Sequence, residues 1–239
     1  MKGIMFKEEL FKKVLSGVKT QTRRVIKSPT GFFDVCFRGD GQFDCIKQVV
    51  KTPTGFYRNE REIKPRYKVG DILYLKEPYL QYFKNGKQFG PTQYRYDTED
   101  RHTKKFWKSK MFMPQSAARY FIRILNVRIE RLSDISNEDA YKEGCVYYDD
   151  RSTWEEDPGG TVVLADTPRD EFQSLWNSIN SKPQKVTYKV EIGNAIEYRS
   201  FPWCEAGRDV RNKIYGIPHT CLANPWVWVY DFELQNGSL

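Results

Sequence analysis

The stretch Gly17-Val18-Lys19-Thr20-Gln21-Thr22-Arg23-Arg24 places one lysine, two threonines, a carboxamide and two arginines directly after an amphipathic segment. Its spacing predicts a helix over residues 6–16, which Gly17 ends. The apolar face of that helix consists of Phe6, Leu10, Val14 and Leu15. The polar run therefore starts where a helix stops, a position from which a backbone presents side chains to a cleft. Such a cluster suits a polyanion or a polar small molecule, and a solvated basic turn is the alternative.

Length and composition indicate a folded protein with many aromatic rings. The 239 residues are 39% hydrophobic and 15% aromatic, enough to build a sizeable core or a ring-lined binding surface. No run of about 18 apolar residues occurs, and charges at Lys2, Lys7 and Glu8 come too early for a secretory signal. We therefore expect one domain over residues 1–239, a cytoplasmic location and no membrane partner.

The cysteines and histidines indicate neither a disulfide framework nor a zinc site. The five cysteines are an odd number without a Cys-x-x-Cys pair, so a disulfide framework is not expected. The spacing of His219 and Cys221 relative to Cys204 fits no common zinc pattern. We expect neither a metal nor a cofactor.

Charge is divided unevenly along the chain. Residues 1–132 contain 29 Lys and Arg against 13 Asp and Glu, a net charge of +16, whereas the remainder has a net charge of −8. A basic half favours an anionic partner, with nucleic acid or a nucleotide as the first candidate. Basic residues that only solvate strands are the alternative.

A strand with a carboxylate at its end follows a turn at Gly70-Asp71. Alternation places Leu73, Leu75 and Glu77 on one face. If the leucines face the core, Glu77 lies at its rim and must be paired, hydrogen-bonded or protonated. A strand-end glutamate that simply reaches water is the alternative.

The rest of the chain has more strands than helices. Ser136 caps a short helix that Gly144 ends, and Thr167-Pro168 opens a second one, whose apolar stripe we interpret as core rather than as a binding surface. Strand-like runs cover residues 117–132 and 226–232. The pattern predicts an α+β fold around a barrel-like sheet. Residues 28–66 are loop-rich, and their Pro-Thr-Gly turns predict a long hairpin or a pair of short strands. We expect a loop over 146–166 and a hairpin with an excursion over 184–221.

Several segments together resemble the ASCH domain family of the PUA-like superfold, and most closely its long phage and prophage members. They cover about half of the chain. They are Gly17 to Arg24, Val69 to Pro78, Trp107 to Arg119 with Met113-Pro114, Arg128 to Ile135, and Asn224 to Val229. The resemblance implies a PUA-like β-barrel with flanking helices and insertions near 28–66, 146–166 and 184–221. It also implies the cytoplasm of a bacterial host if a phage encodes the chain.

The resemblance also implies an activity. Proteins of this superfold bind RNA or modified bases, and some compact ASCH proteins are amidohydrolases that remove the acyl group from N4-acetylcytidine. Lys19, Thr22 and Glu77 match the lysine, threonine and glutamate of that amidohydrolase pattern in motif and order. The chain departs from its long relatives at Gln115 and Ser116, where those usually carry Arg-Trp.

Two assignments of the amidohydrolase chemistry are open. Lys19 can act as the base only if its pKa falls by several units, through burial and the charges of Arg23 and Arg24. If Lys19 pairs with Glu77, the carboxylate is the better base and the lysine stabilises the oxyanion. Thr22 is the nucleophile or orients a water. On a strand, positions three apart face opposite ways, so a turn or bulge near Thr20-Gln21 is needed to bring Lys19 and Thr22 together.

Other residues are candidates for holding a base or phosphate. Arg23 and Arg24 belong to the basic run, and we add Arg119 for a phosphate or carbonyl and three rings for stacking: Tyr79, Tyr94 and Trp107. The partner expected is a modified nucleoside or a nucleic acid, either RNA or modified DNA. A non-catalytic RNA- or DNA-binding module is the alternative to the hydrolase. A ribonuclease comes third, because His102 and His219 lie far apart in sequence.

Overall fold

A computed structural model of the chain describes residues 1–27, 32–39, 43–52, 55–97, 107–145, 167–189, 194–203, 210–215 and 217–235. Its strands up to the centre of the chain are β1 (Lys2–Met5), β2 (Gln21–Val25), β3 (Phe32–Phe37), β4 (Phe43–Thr52), β5 (Gly55–Glu62), β6 (Ile72–Lys76), β7 (Tyr79–Lys84) and β8 (Lys87–Tyr94). The later strands are β9 (Phe121–Arg131), β10 (Gln184–Lys189), β11 (Asn194–Ser200), β12 (Val210–Ile214), β13 (Ile217–Cys221) and β14 (Trp226–Gln235). The helices are α1 (Glu8–Leu15), α2 (Asn137–Lys142) and α3 (Pro168–Asn180).

The predicted α+β class is confirmed, with a five-stranded sheet at the centre. The strand order is β1-β6-β9-β14-β2; β1 and β6 are parallel and the other neighbours are antiparallel. The pairings among the described strands leave β1 and β2 at the two edges. A closed barrel is not seen in them, so the barrel remains a prediction.

Both faces of this sheet are buried, each against a different layer. Along β14, Val227 and Val229 belong to an apolar cluster that includes Phe172 and Trp176 of α3. Trp228, Tyr230 and Phe232 alternate with them and belong to a second cluster that includes Phe11 and Val14 of α1. Because side chains alternate along β14, the two faces of the sheet pack against two separate layers of the core.

The helices α2 and α3 begin at the predicted capping residues, whereas the helix expected over 6–16 begins only at Glu8, because Lys7 offers no capping side chain. The Ser136 hydroxyl accepts from the Asp139 backbone N–H, and the Thr167 side chain accepts from that of Asp170, which caps α2 and α3. Gly17 and Gly144 follow α1 and α2 with φ of +75° and +89°, the left-handed conformation of a helix C-terminus. No helix among the described residues is long and apolar enough to span a membrane.

The segments expected to be insertions contain additional sheets. Within residues 28–66 the described part forms a three-stranded antiparallel sheet, β3-β4-β5. Within 184–221 it forms a four-stranded sheet in the order β10-β11-β13-β12, and β7 and β8 make a hairpin. The segment 146–166 lies outside the described residues. Four cysteines within the described ranges are free thiols: Cys36, Cys45, Cys145 and Cys221.

Candidate functional site

A cavity of about 390 Å³ lies beside the edge strand β2, and we call it the edge cavity. One wall comes from the segment that enters α1, and the opposite wall comes from α3 and the end of β11. The apolar lining consists of Met5, Phe6, Leu10, Val25, Phe172, Leu175, Trp176, Ile179 and Phe201. A mostly apolar pocket with a few polar groups is the usual form of a small-molecule or base site.

Three polar side chains lining the edge cavity come from the segments around β2 and α2: Lys19, Thr22 and Glu143. The Lys19 side chain is only 1% exposed, and its Nζ donates to the Glu143 carboxylate at 2.5 Å. The same Nζ donates to the backbone carbonyls of Gln21 and Glu143, each at 2.8 Å. Burial lowers the pKa of Lys19, while the Glu143 carboxylate opposes that shift.

Glu143 reaches Lys19 because the chain turns tightly after α2. A Cβ atom added at Gly144 would lie 3.3 Å from the Lys19 Cβ, so a larger residue would press on the lysine. The Thr20 backbone N–H also donates to the Lys142 carbonyl at 2.8 Å. The end of α2 therefore packs directly against the start of β2.

Thr22 has a side chain available for a ligand. The residue is buried and lines the edge cavity, and its hydroxyl makes no hydrogen bond with the described residues. A threonine hydroxyl can both donate and accept a hydrogen bond. Lys19 lies two residues before β2 and Thr22 within it, and both line one cavity, as the motif requires.

Arg23 occupies a closed ion-pair cluster on the α3 side of β2. Its side chain is fully buried and pairs with Glu130, with Asp139 at 2.9 Å and with Glu143 at 3.2 Å. Its guanidinium also donates to the Gln21 carboxamide oxygen and lies 5.7 Å from the centre of the Phe172 ring. Arg23 also lines the edge cavity, but its guanidinium is already paired with carboxylates.

Arg24, the next residue, is exposed and has far fewer partners. Its Nη2 donates to the Met5 carbonyl at 3.0 Å, and its guanidinium lies 5.5 Å from the centre of the Phe6 ring. It forms no ion pair with a described residue. Lys7, Lys27 and Lys110 line the same cavity. Desolvation lowers the pKa of Lys110, as do the nearby positive charges of Arg24 and Lys7, so cations crowd this side of the cavity.

A second cavity, of about 590 Å³, adjoins the first, and we call it the basic cavity. Its lining, as far as the structure describes the chain, has no carboxylate and includes five cations: Arg24, Lys27, Lys64, Arg66 and Lys76. Its rings are Tyr67, Trp228 and Tyr230. The two cavities share Met5, Arg24, Val25 and Lys27 and are therefore contiguous.

Glu77 is not among the residues that line the edge cavity. Its carboxylate is completely buried and forms a bidentate pair with Arg119, at 2.8 Å to Nε and 2.9 Å to Nη2. Arg119 also pairs with Asp97 and lies over the Tyr94 ring, 3.9 Å from its centre. Burial raises the pKa of Glu77, and Arg119 opposes that shift. The expectation that this carboxylate is paired is met, but its partner is Arg119; Lys19 pairs with Glu143.

The rings expected to stack on a base also lie away from the edge cavity. Tyr79 is buried and donates its hydroxyl to the Phe112 carbonyl at 3.2 Å, and Tyr94 donates to the Ala117 carbonyl at 2.8 Å. Trp107 lines a third cavity, of about 330 Å³, which shares Lys110 with the edge cavity. The structure thus groups Lys19, Thr22, Arg23 and Arg24 and places Glu77, Tyr79, Tyr94, Trp107 and Arg119 elsewhere.

Sequence reasoning missed Glu143 and the aromatic wall. The apolar stripe of α3 was interpreted as core, and Phe172 and Trp176 are indeed buried, yet both also line the edge cavity. Ile179, on the same face of α3, is 38% exposed, so this face is not entirely part of the core. Glu143 lies beside Gly144 at the end of α2, and only the tertiary contact with β2 reveals its role.

Comparison with known protein families, with curated proteins and with solved structures gave no match. Among the described residues, no three His, Cys, Asp or Glu side chains are grouped as metal ligands. Arguments about function therefore depend on the two adjoining cavities and their side chains.

Proposed function

We propose that the protein binds nucleic acid, with a nucleobase in the edge cavity and phosphate on the cations beside it. The observation that carries this proposal is Arg24, an exposed arginine without an ion pair to any described residue, beside an apolar cavity that contains a free hydroxyl. Planar guanidinium groups bind phosphate oxygens well, and apolar or aromatic walls hold base faces.

The size and lining of the edge cavity suit one base. Phe172, Trp176 and Phe201 supply ring surface, and the Thr22 hydroxyl and the Glu143 carboxylate supply edge contacts. Base-specific recognition of single-stranded nucleic acid uses this combination of stacking and hydrogen bonds to the base edge.

The charge distribution supports a polyanionic ligand. The edge cavity is lined by Lys7, Arg24, Lys27 and Lys110. Glu143 is the one carboxylate among its described lining residues, and Lys19 and Arg23 already neutralise it. The resemblance to ASCH proteins points to the same class of ligand. Membership of that family, with its PUA-like barrel, is part of this proposal.

The first test is direct binding by fluorescence anisotropy. A labelled single-stranded RNA and a single-stranded DNA of mixed sequence are titrated with the wild-type protein, Arg24→Ala and Arg123→Ala. Arg123 is an exposed arginine on β9 that lines none of the three cavities, which makes it a matched control. We expect Arg24→Ala to bind at least about tenfold more weakly, a loss of about 1.4 kcal/mol, with Arg123→Ala close to wild type. Absence of binding to either strand would overturn the proposal.

A second candidate function is hydrolysis of an N4-acylated cytosine, and one contact favours it. The amine of Lys19, the hydroxyl of Thr22 and the carboxylate of Glu143 line one cavity, with Lys19 and Glu143 paired. In this arrangement Glu143 takes the proton of a water that Thr22 orients, and the water oxygen attacks the acyl carbon of the amide. The positive charge of Lys19 stabilises the oxyanion, and as the C–N bond breaks Glu143 gives the proton to the departing cytosine nitrogen and the acyl group leaves as the free acid.

The test of the hydrolase uses N4-acetylcytidine and longer N4-acylcytidines, with released cytidine measured by chromatography. We expect turnover by the wild type, and losses of at least about a hundredfold in Thr22→Val and in Glu143→Gln. Glu77→Gln, which changes the carboxylate paired with Arg119, should retain turnover in the folded fraction. No turnover on any acylated cytidine would remove this second function and leave the binding proposal intact.

A further inference from the structure

Among the described residues that line the basic cavity, positive charges outnumber the carboxylates that balance them. Of its five lining cations, only Lys64 has a carboxylate partner among the described residues, Glu62 at 3.4 Å. Lys76 donates instead to the Met111 carbonyl at 2.9 Å, and Arg66 lies 5.5 Å from the centre of the Tyr67 ring. Clustered cations without counter-charges repel one another, and a bound anion relieves that repulsion.

The walls of this cavity are formed by packed side chains. Tyr67 and Tyr230 are buried and meet edge to face with their ring centres 5.3 Å apart, and the Tyr67 hydroxyl donates to the Gly3 carbonyl at 3.2 Å. A Cβ atom at Gly3 would come within 2.4 Å of the Lys76 Cε, so the missing side chain lets Lys76 lie against β1. Buried rings and the β1 backbone therefore form one wall of the basic cavity, and exposed cations line much of the rest.

Arg24 links the two cavities. It lines both, and the Met5 carbonyl and the Phe6 ring hold its guanidinium. A phosphate bound at Arg24 would have the edge cavity on one side and the basic cavity on the other. In a nucleic acid strand, each phosphodiester likewise joins two neighbouring nucleosides.

We propose that the basic cavity is a second nucleotide subsite, an inference that rests on the proposed function. One nucleoside occupies the edge cavity, the phosphodiester lies on Arg24, and the next nucleotide enters the basic cavity. If two neighbouring bases occupy the two cavities, they can be neither stacked on each other nor paired with a complementary strand. The preferred ligand is therefore a single strand of at least two nucleotides, and a free nucleoside or mononucleotide fills only part of the site.

The experiment is a length series measured by calorimetry. Cytidine 5′-monophosphate, the dinucleotide and the tetranucleotide of cytidylate are titrated into the wild-type protein. We expect the dinucleotide to bind at least about tenfold more tightly than the mononucleotide. A further increase for the tetranucleotide is compatible with the inference, and equal affinities for the mono- and dinucleotide would overturn it.

Variants of the basic cavity complete the test. The double variant Lys64→Ala with Arg66→Ala should weaken the dinucleotide and tetranucleotide at least about fivefold and leave the mononucleotide unchanged. The control is Lys87→Ala with Arg123→Ala, which removes the same charge from exposed positions outside both cavities. An equal loss for all three ligands, or no loss for any, would overturn the second subsite. If no ligand in the series binds the wild type, the proposed function fails as well, whereas mononucleotide binding without length dependence removes only the subsite.

Discussion

Arg23 and Arg24 are neighbours on one strand, yet they occupy opposite electrostatic environments. Arg23 is buried among the carboxylates of Glu130, Asp139 and Glu143. Arg24 has a single carbonyl and a ring for partners and lies between two cavities. The alternation of a strand produces this difference, because it sends consecutive side chains to the two faces of β2. The same residue type thus stabilises the fold at one position and is available to a ligand at the next.

The largest expected effect comes from removing the buried arginine. Arg23→Ala leaves three carboxylates without their shared cation, and breaking a buried ion pair costs about 3–5 kcal/mol. Urea denaturation measures the free energy of unfolding, with Arg24→Ala as the matched control, expected within about 1 kcal/mol of wild type. An Arg23→Ala protein as stable as the wild type would show that the cluster is not structural.

The second-largest effect is expected when the charge of Arg24, which lines both cavities, is reversed. Arg24→Glu should reduce affinity for a single-stranded oligonucleotide about a hundredfold, or about 2.7 kcal/mol, because it replaces attraction by repulsion. Arg123→Glu makes the same change on β9, outside the cavities. Equal losses in the two variants would mean that overall charge, and not the position of Arg24, determines binding.

A smaller effect is expected at the free hydroxyl. Thr22→Val keeps the shape of the side chain and removes its hydrogen-bonding atom, so binding of cytidine 5′-monophosphate should weaken about fivefold, or about 1 kcal/mol. Stability should remain within about 1 kcal/mol of wild type, since the hydroxyl has no partner among the described residues. An unchanged affinity would place the base away from Thr22.

The smallest expected effect is a change of the unfolding free energy with pH, caused by Asp139 in the ion-pair cluster around Arg23. Burial raises the pKa of Asp139, but the hydrogen bond from Gln21 and the charges of Arg128 and Arg23 outweigh it and lower the pKa below 3.8. The ionised Asp139 carboxylate therefore stabilises the folded protein at pH values above its pKa in the unfolded chain. This stabilisation is lost as the pH falls through the lowered pKa of Asp139 in the folded protein. The difference in unfolding free energy between wild type and Asp139→Asn should narrow as the pH decreases below about 4. A difference that grows toward acid pH would contradict this account.

Local patterns in the sequence predicted the α+β class and several boundaries of helices and strands. Ser136, Thr167 and Gly144 cap or end helices where expected. Of the two alternatives left open for Glu77, the structure shows a buried, paired carboxylate and not one that reaches water. Each of these signals depends on residues within a few positions of one another. The sheets within 28–66 and 184–221 depend on pairing between distant strands, which such local patterns do not specify.

The candidate site could be predicted only in part, for a related reason. Lys19, Thr22, Arg23 and Arg24 lie in one segment, so the motif identified them together. The carboxylate beside Lys19 comes from Glu143, 124 positions away, and the ring wall comes from α3. Glu77 satisfied the resemblance in chain order, but the described contacts pair it with Arg119. Motif order alone did not determine which carboxylate lies next to the lysine.

The most direct test of the central claim is the salt dependence of RNA binding by the wild type and Arg24→Ala. For single strands, each phosphate contact contributes about −0.7 to the slope of log affinity against log salt concentration. We predict a linear decrease for the wild type and a slope about 0.7 shallower for Arg24→Ala, while Arg123→Ala keeps the wild-type slope. Identical slopes in the wild type and Arg24→Ala would contradict the claim that Arg24 holds a phosphate between the two cavities.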